Sequence, residues 1–303
     1  GNTLTGTSYT LNPSSGTTHS IAAVLAGSGI ALTSSGTGTI TLSGANTYTG
    51  ATTIGSGTTL KLGAAGVISD SSAVTANGTL DLNSYSETIG SLAGSGTVTS
   101  SAAGTPTLTL GGDNTSTTFS GAIQNGTGVV SIYKSGTGVF TLSGSNSYTG
   151  ATTVPYGQIK FGAAQTNLTA YDISSGAFLD LGGYSATIGS LAGAGSVTST
   201  ASGSITLTAG NASSTTFSGI IQDGSGTVAF TKAGTGTLTL SGTNTFIGGL
   251  IISNGTLKVG AVGNSLFTPL GSYAGTVSVS NGGTLDLNGF TLGTSQALTI
   301  NGA

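Results

Sequence analysis

The sequence predicts an all-β chain folded as a right-handed parallel β-solenoid. Three observations predict it: an unusual composition, a long internal repeat, and a shorter period nested inside that repeat. Glycine occurs 55 times in 303 residues, only 4% of residues are charged, and Cys, Met, Trp and Arg are absent. Disorder requires low hydrophobicity with high net charge; here 36% of residues are hydrophobic and the net charge is −3. Thr and Val favour strands while Gly and Asn favour tight turns, so many short strands are expected. The glycines lack the strict three-residue period of collagen.

The long repeat is plain in three segments. They are Ser35–Gly63 (SGTGTITLSGANTYTGATTIGSGTTLKLG), Ser135–Gly162 (SGTGVFTLSGSNSYTGATTVPYGQIKFG) and Ala233–Gly260 (AGTGTLTLSGTNTFIGGLIISNGTLKVG). Their starts are 100 and 98 residues apart. Between them lies a second matched pair, Gly78–Tyr133 and Gly176–Phe230. The chain therefore reads as one continuous solenoid over 1–303, with a partial unit at 1–34, units at 35–134 and 135–232, and a partial unit at 233–303.

Inside the long repeat, a glycine followed by an alternating apolar strand recurs at Gly38, Gly57, Gly78 and Gly96. It recurs again at Gly138, Gly157, Gly176 and Gly195, then at Gly236 and Gly255. The single gaps run from 18 to 21 residues, which makes a rung of about 20 and a stack of about 15 rungs. Each such rung cannot bury its apolar face alone, and stacking makes the core continuous. At ~4.8 Å per rung the stack is expected to be roughly 70 Å long.

Each element follows from this frame. In Thr39-Ile40-Thr41-Leu42 apolar residues alternate with Thr, as they must when one face is buried. Leu60 and Leu62, Leu80 and Leu82, and Leu285 and Leu287 repeat the arrangement on other rungs. Gly44 to Asn46 and Asn77-Gly78 are read as corners, where positive φ lets the chain bend.

At this point the residues resemble a known family. The pattern GTGTLTLSGxNTYTGxTTIxxGTLxLG is similar to the autotransporter-associated β-strand repeat of bacterial autotransporter passengers. Residues 35–63, 135–162 and 233–260 carry it. The resemblance implies a parallel β-helix, secreted and displayed at a bacterial cell surface, serving as a structural fibre, stalk or adhesin.

Several function classes find little support. With five Lys against seven Asp and Glu87, no basic face is available for nucleic acid or for a polybasic membrane anchor. The longest apolar-looking stretch, Ile21–Leu32, is broken by Gly27, Ser28 and Gly29 and is too short to insert in a bilayer. No cofactor or metal site is expected, since thiolates are absent and metal-binding GGxGxD nonapeptides are missing. His19 is the only histidine, and nothing around it singles out an activated serine and an acid. Asp70, Asp113, Asp172 and Asp223 are read as scattered, solvated turn residues rather than the paired acids of a glycosidase. No catalytic residue is assigned. A carbohydrate-binding or polysaccharide-active β-helix is the alternative function, and a row of exposed aromatics would support it.

Two sets of repeated residues stand out. Lys61 precedes Asp81 by 20 residues, Lys160 precedes Asp180 by 20, and Lys258 precedes Asp286 by 28. Each sits at an outward position of its strand, so neighbouring rungs would set Lys beside Asp in a structural charge ladder that favours the correct register. Tyr48, Tyr148 and Phe246 occupy equivalent positions, as do Tyr85, Tyr184 and Phe290, and are read as core or corner packing. The Asn46, Asn146 and Asn244 set is read as turn chemistry.

The two ends match in phase. Gly283–Leu287 aligns with Gly78–Leu82, Ala303 falls near the phase of Ser95, and Gly1–Thr5 resembles Gly96–Ser100. No signal peptide stands at Gly1, as in a mature chain or an excerpt. Neither end resembles a polar cap. The expected partners are therefore flanking rungs of a longer chain or a second copy stacked head to tail, together with a host or neighbouring cell surface.

Overall fold

Alternating apolar and hydroxyl residues can pair in register only when each rung lies directly over the last, and this is how the chain folds. The computed structural model describes residues 2–264, 266–291 and 296–301. It is all-β, with parallel sheets stacked as a β-solenoid of about 14 turns and a period near 21 residues. Gly1 and Ala303, which bound the end-to-end phase comparison, lie outside the described residues. The chain divides into two compact units, 1–152 and 153–303.

In the first unit, one parallel sheet stacks Thr18–Ile21, Thr39–Leu42, Thr59–Leu62, Thr79–Asp81, Thr97–Thr99 and Ala122–Ile123. The register sets Thr39 beside Thr59, Thr59 beside Thr79, and Thr79 beside Thr97. Every inward residue therefore falls on an inward residue of the next rung. Ile40, Leu42, Leu60, Leu62, Leu80 and Leu82 are all fully buried in this way. Burying one such side chain contributes roughly 1.5–3 kcal/mol, and a slip of one residue would turn the whole set to solvent. A second sheet stacks Tyr9–Leu11, Leu32–Ser34, Thr52–Ile54, Ala73–Ala76 and Ser91–Ala93.

The second unit repeats the plan. Ala186–Ile188, Ser204–Ala209, Thr227–Lys232, Leu250–Ile252, Thr276–Val279 and Ala297–Ile300 form one parallel sheet. Gln158–Phe161, Phe178–Asp180, Ser196–Thr198 and Ile220–Ile221 belong to another. One rung departs from the period. Between Val259 and Thr276 the chain makes an excursion carrying a short antiparallel pair, Phe267–Thr268 with Gly271–Ser272. This excursion is why Lys258 and Asp286 are 28 residues apart instead of 20.

The corners differ from expectation at Gly44 and Gly78. Neither has positive φ; a Cβ at Gly44 would overlap the carbonyl of Ala23, and one at Gly78 those of Gly55 and Thr58. Close stacking of corners, rather than a left-handed backbone, requires glycine there. The left-handed conformation is used two residues after each ladder acid instead, at Asn83 (φ 47°), Gly182 (φ 59°) and Asn288 (φ 53°).

Candidate functional site

The polar side chains that the repeat singles out converge on one kind of arrangement, in which a side chain ties one rung to the next. Lys61 Nζ lies 3.8 Å from Asp81 Oδ2, Lys160 Nζ 3.4 Å from Asp180 Oδ2, and Lys258 Nζ 3.8 Å from Asp286 Oδ2. In each pair the two residues are strand partners in adjacent rungs.

The acids are not simply outward. Asp81 is 4% exposed and Asp180 is 0% exposed. Asp180 Oδ1 accepts the N–H groups of Gly182 and Thr200, both at 2.9 Å. Its Oδ2 accepts the Thr200 hydroxyl at 2.6 Å and the Gln158 amide at 3.0 Å. Asp81 repeats this with Asn83 N at 2.9 Å, Ser101 N at 2.8 Å and the Ser101 hydroxyl at 2.6 Å. The corner after each acid folds over the carboxylate, and the following rung closes it from the other side. Burial acts to raise the Asp180 pKa; the Thr200 hydroxyl and N–H, the Gly182 N–H and Lys160 outweigh it and hold the group below its ordinary value. Two of the lysines also reach two rungs on, Lys61 to the Ser101 hydroxyl and Lys160 to that of Thr200. Three consecutive rungs are thereby clamped.

The asparagines are buried and bridge rungs, rather than serving turn chemistry. Asn46 accepts the Leu25 N–H at 2.8 Å and donates to Val67 O at 2.7 Å. Asn244 accepts from Ile221 N at 2.7 Å and donates to Pro269 O at 2.6 Å. Asn146 accepts from Ile123 N at 2.9 Å and donates to Gly144 O at 3.1 Å.

Tyr48, Tyr148 and Phe246 are all in the core. The hydroxyl of Tyr48 meets Thr52 Oγ1 at 2.8 Å and that of Tyr148 meets Thr152 Oγ1 at 2.7 Å. Where the third repeat has Phe246, the residue four positions on is Leu250. The phenol and its hydroxyl partner are lost together in this repeat; in the first repeat Thr52 Oγ1 also meets Ser72 Oγ at 2.8 Å. Tyr85 and Tyr184, by contrast, are corner residues exposed by 36% and 42%, and Phe290 is half-buried.

Among the remaining candidates, His19 is exposed on the strand Thr18–Ile21. Asp172 is not a turn residue but an outward residue of the strand Ala170–Ile173. Asp223 caps a turn by accepting Val228 N at 2.6 Å. No group of three His, Cys, Asp or Glu that could hold a metal occurs among the described residues. A cavity of about 190 Å³ in the second unit is lined by Val259, Val262, Pro269, Leu270, Tyr273 and Phe290, and brings no carboxylate or histidine to its walls.

Three buried charged residues escaped the sequence reading. Lys134 and Lys232 are each 1% exposed, 98 residues apart, at equivalent positions of the repeat. Lys134 donates to Ser135 O at 2.7 Å and Gly136 O at 3.1 Å; burial pushes it down to about 8, with nearby Asp113 opposing. Lys232 donates to Ala233 O, Gly234 O and Asn254 O at 2.6, 2.9 and 3.1 Å, and burial lowers it too. The signal was present: in Ile132-Tyr133-Lys134 and Phe230-Thr231-Lys232 the lysine stands in the inward phase of the alternation. The third residue, Glu87, is 3% exposed and accepts Val67 N at 3.2 Å and Ile68 N at 3.1 Å.

Three stretches of the chain, 32–62, 132–155 and 230–259, match the sequence model of the passenger-associated-transport-repeat family. These stretches are similar to the passenger-associated transport repeat. In this chain each matched stretch runs through the buried Asn and the nearby aromatic; Lys61 and Lys258 fall inside their stretches, while Lys160 and the acids Asp81, Asp180 and Asp286 lie beyond them. The matched stretches lie on a β-solenoid, an architecture consistent with an autotransporter passenger-like β-helix repeat protein. No curated protein and no solved structure matches the chain.

Proposed function

We propose that the chain is a non-catalytic structural segment of an exported passenger, a stalk or fibre that carries or spaces other parts at a bacterial cell surface. The observation that carries this reading is where the chemistry-bearing side chains are spent. Asp81, Asp180, Lys134, Lys232 and the buried asparagines are all engaged in holding one rung to another or closing a corner. Transport repeats are passenger sequence, which supports export and an extracellular location.

In this reading the partners are further rungs. Among the described residues the strand Thr3–Thr5 pairs with Val24–Gly27 alone, and its other edge fits another rung of the same kind, from a longer chain or a second copy. Negative-stain microscopy of 1–303 across a concentration series tests this. Uniform filaments would assign the edges to self-assembly, and short rods would assign them to flanking rungs. Globular particles without a rod axis would overturn the stalk reading. A carbohydrate-binding role draws on the exposed rings of Tyr85 and Tyr184; glycan binding lost on replacing both with Ala would favour it instead.

A further inference from the structure

We propose that Asn281–Gly282 is a self-modifying turn: the Gly282 nitrogen displaces the Asn281 side-chain amide, and the product loosens the rung that carries Lys258 and Asp286. Asparagine followed by glycine occurs at Asn77, Asn125, Asn254, Asn281, Asn288 and Asn301. Glycine has no Cβ to shield its nitrogen, so at these pairs the side-chain carbonyl and the next main-chain nitrogen can meet. Whether they do depends on what holds the two groups. At Asn77 the Gly78 N–H donates to Ile54 O at 3.0 Å, and the side chain accepts Ser95 N at 3.2 Å. Asn125 accepts Val130 N at 3.0 Å and donates to the Thr149 hydroxyl at 2.8 Å, while Gly126 N donates to Gly128 O at 3.2 Å. Gly255 N is tied into the ladder at Gly282 O, at 3.1 Å, and Asn288 Nδ2 donates to Val259 O at 3.1 Å. Gly302, after Asn301, lies outside the described residues. Asn281 differs from the rest. It stands exposed in the turn between the strands Thr276–Val279 and Gly283–Asp286. Among the described residues neither its side chain nor the Gly282 N–H makes a hydrogen bond. Space is open there as well, since a Cβ at Gly282 would find its nearest neighbour at 3.5 Å.

The reaction needs only water and hydroxide. With its proton taken by hydroxide, the Gly282 nitrogen adds to Asn281 Cγ. The N–Cγ bond forms, the Cγ–Nδ2 bond breaks, and ammonia leaves carrying a proton returned by water. Water then opens the five-membered imide. Addition at Cγ breaks the new bond and leaves aspartate. Addition at the main-chain carbonyl carbon breaks the original peptide bond and leaves isoaspartate, with the chain running through Cβ and Cγ. Either product carries one more negative charge than asparagine. Isoaspartate also lengthens the main chain by one atom, directly before the strand Gly283–Asp286. That strand pairs in register with Gly255–Val259, and the Gly255 N–H donates to Gly282 O at the point of insertion. An added backbone atom displaces the ladder there. Asp286, with a side chain 42% exposed, is not sealed in place to resist the shift.

Peptide mapping by mass spectrometry of the chain 1–303 incubated at pH 8 tests the proposal, with isoaspartate read by enzymatic methylation. Asn281 should convert about tenfold or more faster than Asn77, Asn125 and Asn254, because each of those must first break a hydrogen bond. In urea the four rates should converge. Amide exchange at Gly255 should be faster in the isoaspartate fraction than in the unmodified chain, and the variant Asn281→Gln should keep the slower exchange through the same incubation. An unconverted Asn281, equal conversion at the held pairs of the folded chain, or a preference for Asn281 that persists in urea would overturn the assignment. Equal Gly255 exchange with and without isoaspartate would overturn the loosening of the rung.

Discussion

Within the second unit the same pair of residue types is built twice, with different results. Asp180 is sealed at 0% side-chain exposure and accepts four hydrogen bonds besides facing Lys160. Asp286 is 42% exposed, faces Lys258, and accepts the Asn288 N–H at 2.8 Å. Sequence spacing made both look like surface ion pairs. The difference lies in the rung that follows: Thr200 folds over Asp180 and supplies two of its donors. A ladder acid becomes part of the core only when the next rung closes over it. The ion pair itself is the lesser part of the arrangement, since a half-exposed lysine in high dielectric contributes little.

The comparison can be broken most directly at Asp180. Asp180→Ala leaves the Thr200 and Gly182 N–H groups, the Thr200 hydroxyl and the Gln158 amide without their acceptor, and should cost about 3–5 kcal/mol in urea unfolding. Asp286→Ala should cost no more than about 1 kcal/mol. Equal costs would mean that burial by the following rung is not what separates them.

The aromatic sites sharpen the same point. Phe246→Tyr places a hydroxyl against Leu250, where it has no partner, and should destabilise by about 1–3 kcal/mol. Adding Leu250→Thr should recover part of that loss, giving a favourable coupling in a double-mutant cycle. Zero coupling would show that the Tyr48–Thr52 bond is incidental. A smaller effect of opposite sign is expected at Asn167, which is 6% exposed with neither amide atom bonded. Asn167→Leu should raise stability by about 1 kcal/mol, read as a higher urea midpoint at unchanged slope.

Much of this architecture was legible from spacing alone. The 98- to 100-residue repeat, the in-and-out alternation and the 20-residue separation of Lys from Asp gave the solenoid and placed Lys61 beside Asp81. Periodicity states which residues recur, but not how far a corner folds back. Asp81 and Asp180 were therefore read as outward ladder residues although the next rung covers them. Glu87 was illegible for a different reason: Ala186 replaces it in the other repeat, so no recurrence marked it. Lys134 and Lys232 did recur, and their inward phase went unread because charged residues are seldom buried. The excursion at 260–275 was written in the 28-residue gap between Lys258 and Asp286.

The central claim is that these side chains keep one rung in register with the next. It is tested most directly by the melting temperature of the Lys61→Glu/Lys160→Glu double variant. Each substitution sets a carboxylate against Asp81 or Asp180, and a loss of about 1 kcal/mol per site should lower the melting temperature by roughly 4–8 °C in total. A melting temperature equal to that of the natural chain would contradict the account.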